Sequence, residues 1–116
     1  MANQAIDFMK YHRRRESRKL VARVVELAEK NVAWSLGKRA RNFLRESRLH
    51  VVDLTHVLCS ARDVRPGQAS NEFVVEGFTV DEVLVRLLVR DDSGEQPPSL
   101  ACVYGKLLTD EEDLVG

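Results

Sequence analysis

The chain has 116 residues, 44% of them apolar and 31% charged, with a formal net charge of zero. That is one domain's length, and the balance suits a folded globule rather than a disordered chain. Its two cysteines, Cys59 and Cys102, form no CxxC pair, which excludes a zinc ribbon and a disulfide-dense secreted scaffold, and no stretch approaches the ~18–20 apolar residues of a membrane span.

Lys10 and Arg13 precede any signal-peptide core, so the expectation is a cytoplasmic chain with no membrane partner. From about Ala5 to Lys30 the pattern is helical. Leu20, Val21, Val24, Leu27 and Ala28 form one apolar stripe at period 3.6. Asn31 is a helix stop, and Val32 to Ser35 reads as a short strand. Lys38 to Arg48 resumes as a helix with Ala40, Phe43 and Leu44 inward, and a third helix over Val51 to Ala61 faces inward with Leu54, Val57, Leu58 and Ala61. Asp53 favours that helix's first turn through the helix dipole.

Arg65-Pro66-Gly67 reads as a turn. Strands are then expected over Asn71 to Gly77, Val83 to Arg90 and Leu100 to Tyr104, with a hairpin connection at Thr79 to Glu82 and a Pro97-Pro98 loop. Helices followed by a strand meander predict an α+β fold, with the helices on one face of a small, mostly antiparallel sheet. Alternation along Val83 to Arg90 puts Arg86 and Arg90 on one face, and Tyr104 and Lys106 share a face of the last strand.

The zero net charge hides an asymmetry. Residues 1–50 hold thirteen Lys and Arg against five acids, and residues 51–116 hold five against thirteen. Such halves point to a surface for a polyanion, or to a basic helix neutralised within the fold by an acidic neighbour. Lys10 to Lys19 contains six basic residues, Arg13, Arg14 and Arg15 among them, and guanidinium forks suit phosphate oxygens.

Catalytic signatures are few. His12, His50 and His56 have no partner at metal-ligand spacing, and neither a phosphate-binding glycine loop nor a nucleophile elbow occurs. No cofactor and no metal site is expected. What remains is Arg86, Arg90, Tyr104 and Lys106 on the strands, with Lys38, Arg39 and Arg41 opening the second helix. Cations stabilise the phosphorane formed when a 2′-OH attacks RNA, and Tyr, His or Lys can move the protons. The same groups suit passive backbone binding. A structural alternative pairs Arg86 and Arg90 with Glu72, Glu76 or Asp81 across the hairpin.

Several short pieces occur together in order: Val32-Ala33-Trp34-Ser35, Lys38-Arg39-Ala40, Arg45 to Leu49, Asp53-Leu54 to Val57-Leu58, Phe73 to Gly77, Val83 to Val89 and Val103-Tyr104. Over about two-thirds of the chain they resemble a small domain family of the RelE/ParE-like toxin superfamily, related to MqsR. The resemblance implies a helices-then-sheet fold, metal-independent mRNA cleavage, and an antitoxin-like protein partner. Arg39 stands where that family often has histidine, Arg86 where MqsR-like sequences place a strand lysine, and Phe73 near a tyrosine position.

Together these readings divide the chain into a basic amphipathic helix over residues 1–30, a RelE-like α+β domain over 31–108, and an acidic tail over 109–116. The expected function is that of an RNA-engaging, toxin-like protein, in its sharper form a metal-independent endoribonuclease. Arg86, Arg90 and Tyr104 are its expected catalytic groups. Lys38, Arg39, Arg41, Arg13, Arg14 and Arg15 are its expected RNA-binding groups. The alternative is a non-enzymatic binding module, either a protein–protein adaptor or a nucleic-acid-binding regulator, on the same scaffold.

Overall fold

Apolar periodicity assigns each element its buried side in the computed structural model, which describes residues 18–108. Helix α1 covers residues 18–29. It is followed by β1 (Trp34–Leu36), α2 (Lys38–Ser47), α3 (Val51–Cys59), β2 (Asp63–Pro66), β3 (Glu72–Phe78), β4 (Leu84–Asp92) and β5 (Ser99–Leu107). The expected α+β architecture is present: helices, then a five-stranded sheet in the order β1-β5-β4-β3-β2. All neighbours are antiparallel except β1, which runs parallel to β5.

Two differences from the expected elements have physical causes. Arg65 and Pro66, read as a turn, belong to the edge strand β2, paired with Val74 and Phe73. Proline lacks a ladder donor, but at a strand end on a sheet edge it costs no pairing. Strand β5 runs three residues past Tyr104, and its pairing with β4 shifts register beside Leu88 and Val89. Pairing resumes beyond that bulge, with Gly105, Lys106 and Leu107 opposite Leu87, Arg86 and Val85.

Register fixes the two faces of the sheet. Phe73, Val75, Val85, Leu87, Val89 and Cys102 point to one side and are at most 2% exposed. Leu54, Val57 and Leu58 of α3, Ala40 and Leu44 of α2, and Val24, Leu27 and Ala28 of α1 join the same core. The described part of α1 therefore packs on the domain, while Val21 lies at the rim of its stripe and is 40% exposed. Asn31, with φ 51°, ends α1 in the left-handed region that asparagine tolerates.

Helix α3 lies unusually close to β3. A Cβ on Gly77 would sit 2.2 Å from the Val57 carbonyl oxygen, so only glycine permits that approach. Ser60 locks the contact, accepting from Phe78 N–H at 2.8 Å, while Asp53 accepts from His50 N–H at 2.9 Å and from Val80 N–H at 3.0 Å. One carboxylate thus caps α3 and holds the β3–β4 turn. Among the described residues, no helix is long and apolar enough to cross a membrane.

Candidate nucleic-acid interface

Among the described residues, the helices occupy one side of the sheet and leave the other side open. Its side chains form rows across the strands. Arg65, Val74, Leu88 and Tyr104 are successive cross-strand partners, and so are Asp63, Glu76, Arg86 and Lys106. Strands lie about 4.8 Å apart and alternate residues about 7 Å, so each four-strand row spans roughly 14 Å. A row of Val74, Leu88 and Tyr104, ended by Arg65, therefore runs beside a fully charged one.

Between the rows lies a shallow depression of about 240 Å³, lined by Arg65, Pro66, Val74, Arg86, Leu88 and Tyr104. Its floor is aliphatic, Tyr104 stands at one side, and two guanidinium groups stand at the other. Arg86 and Tyr104, two of the three expected catalytic groups, share this depression. Arg90 lies on the same face, outside the lining, with its Nε 2.9 Å from Asp92.

Arginines converge on Glu76, whose side chain is only 10% exposed. Arg86 donates from Nε at 2.9 Å and from Nη2 at 2.7 Å to its Oε1. Arg65 Nη2 lies 3.5 Å from the same oxygen, and Arg62 Nη2 lies 3.7 Å from Oε2. Arg65 also reaches Asp63, at 3.1 Å. Arg65 and Arg86 thus share Glu76 with Arg62, and Arg65 shares Asp63 as well. The cross-strand pairing foreseen for Arg86 is present with Glu76. Arg90 pairs along its own strand with Asp92, a partner the hairpin alternation did not suggest.

Arg39 reaches this face from α2. Strand β1 pairs with β5 only as far as Cys102, so α2 packs along the remainder of β5. Gly105 makes room: a Cβ there would lie 2.4 Å from the Phe43 ring. Phe43 and Arg39 are four residues apart on one helix face, so seating Phe43 at β5 carries Arg39 alongside. Its guanidinium carbon stands 5.0 Å from the centre of the Tyr104 ring, within cation–π range.

Lys38 and Arg41 are exposed on the same helix, turned about 100° and 200° from Arg39. Arg13, Arg14 and Arg15 lie outside the described residues, as does the tail over 109–116. Spacing alone does not reveal Arg62 and Arg65, because Arg65-Pro66-Gly67 reads as a turn and hides the end of β2. Glycine inside a strand, at Gly105, was the available signal for the close approach of α2. Among the described residues, no group of three His, Cys, Asp or Glu side chains converges as a metal site. Comparisons with protein-family models, with curated proteins and with solved structures gave no match.

Proposed function

We propose that the open face of the sheet binds single-stranded RNA, with a base stacked on Tyr104 and phosphates held by Arg39, Arg65 and Arg86. One observation carries this reading. An exposed aromatic ring, an aliphatic floor and guanidinium groups from two strands border one depression that the described helices leave uncovered, and Arg39 of α2 stands over the ring. Single strands need that combination: a π surface for unpaired bases and cations for the backbone. A duplex buries its base faces and could use only the cations.

Metal-independent cleavage is the sharper form of the proposal, and the resemblance to RelE/ParE-like toxins adds to it. In that form the 2′-oxygen would attack phosphorus and the bond to the 5′-oxygen would break. Arg86 would stabilise the charge on the phosphorane, and the Tyr104 hydroxyl would take the 2′-proton as it passes its own to the departing 5′-oxygen. A second reading, the non-enzymatic binding module, draws on the engagement of Arg86 and Arg90 with carboxylates of the chain itself.

Fluorescence anisotropy with a labelled 12-nucleotide RNA tests the binding. Tyr104→Ala should weaken it on the order of tenfold, the loss of one stacked base. Arg86→Ala should reduce the slope of log K against log salt by about 0.7, one phosphate on a single strand. Unchanged affinity in both variants would refute the interface. Incubation of RNA with EDTA separates the two forms: degradation by the wild type but not by Arg86→Ala supports cleavage, and intact RNA supports the binding module.

A further inference from the structure

We infer that Glu76 is a built-in competitor for phosphate, a carboxylate that limits how tightly the arginine cluster holds its ligand. The inference rests on the RNA-binding reading and adds a residue that tunes it. Arg62, Arg65 and Arg86 come from the residue just before β2, from β2 and from β4 respectively, yet all three turn toward this one side chain. Glu76 is second in its row of four, between Asp63 and Arg86, and is 8% exposed as a residue. The arginines cover it.

A carboxylate and a phosphate compete for the same guanidinium N–H groups, because both present acceptor oxygens to one fork. Arg86 donates its Nε edge to Glu76, and Arg65 divides its donors between Glu76 and Asp63. A phosphate entering the depression draws on donors already engaged and meets a negative charge within one side chain's length. Both effects lower affinity.

Glutamine separates charge from position. Glu76→Gln keeps a carbonyl oxygen to accept from Arg86 and removes the charge, so the arginines stay on the open face with donors to spare. Its affinity for the labelled RNA should rise on the order of tenfold, the effect of one unit charge near the site. The salt slope should steepen by about 0.7, because one more phosphate is engaged. A purely structural Glu76 would leave that slope unchanged.

The experiment measures RNA anisotropy across a salt series for the wild type, Glu76→Gln and Asp63→Asn, with circular dichroism checking the fold of each. Asp63 is about half exposed, and its removal releases Arg65 alone, so Asp63→Asn should give a smaller gain of about threefold. Wild-type binding with tighter, more salt-sensitive binding by Glu76→Gln supports the competitor. Wild-type binding with equal or weaker binding by Glu76→Gln overturns it and leaves the RNA interface standing. If Glu76→Gln is unfolded, the Asp63→Asn result decides, and an unchanged affinity overturns the inference. Binding by neither the wild type nor Glu76→Gln removes both the interface and its competitor.

Discussion

Gly77→Ala is the sharpest test of how α3 meets the sheet. The added Cβ would stand 2.2 Å from the Val57 carbonyl oxygen and 3.1 Å from its carbon. Ordinary C···O contacts lie at about 3.3–3.6 Å, so α3 must retreat by roughly 1 Å. The obstacle is backbone and cannot rotate aside. Leu54, Val57 and Leu58, each at most 1% exposed, move with the helix, and the Ser60–Phe78 hydrogen bonds lengthen. Overpacking of a closed core costs about 1–3 kcal/mol, and a backbone obstruction places this case near 3. Replacing a strand glycine returns about 0.5–1 kcal/mol through lower chain entropy, which leaves a net loss of about 2 kcal/mol. For a domain of this size the melting temperature should fall by about 10 °C. Gly94→Ala is the control: its Cβ meets nothing within 4 Å, and its stability should stay within about 0.5 kcal/mol of wild type. Thermal melts followed by circular dichroism compare the three proteins. A Gly77→Ala melting point within about 2 °C of wild type would refute the packing argument.

Two further outcomes follow from local electrostatics and burial. Burial pushes the Asp91 carboxyl up, but hydrogen bonds from Ser93 and the Arg23 guanidinium outweigh it and hold the group below the usual carboxylate range. A pKa depressed in the folded state adds stability above the unfolded value, near 3.9, and that stability is lost as pH falls through the lower folded value. The wild type should therefore lose more melting temperature than Asp91→Asn between pH 5 and pH 2, and equal losses would dismiss the Asp91 contribution. Burial pushes the Cys102 thiol up to about 12, whereas Cys59 is exposed. A thiol reagent at pH 8 should label one cysteine in the native protein and the second only after unfolding. Rapid labelling of both without denaturant would contradict the placement of Cys102.

The helices and central strands could be read from residue spacing because their signals are local. Leu54, Val57 and Leu58 mark one face of α3 by helical spacing alone, and alternation in β4 placed Arg86 opposite the core. Asn31 marked the end of α1 through its own backbone preference. The misses share a non-local cause. Strand β2 exists because Val64 is buried opposite Val75, which four residues containing a proline do not announce. The site divides in the same way: face-sharing by Arg86 and Tyr104 follows from pleat and pairing, whereas Arg39 reaches Tyr104 only through the seating of α2. Glu76 was visible as one of three partners for the hairpin arginines. Its sharing with Arg62 and Arg65 depends on β2.

Strand β1 has its own consequence for synthesis. Trp34 pairs with Leu100, 66 residues later, and the Trp34 indole donates to Thr55 on α3 at 3.0 Å. A growing chain thus presents three helices and the β3–β4 hairpin before β5 exists to receive the first strand. Until then Trp34–Leu36 lacks its strand partner among the described residues. Closure of this edge is a non-local step, and it waits until β5 has been made.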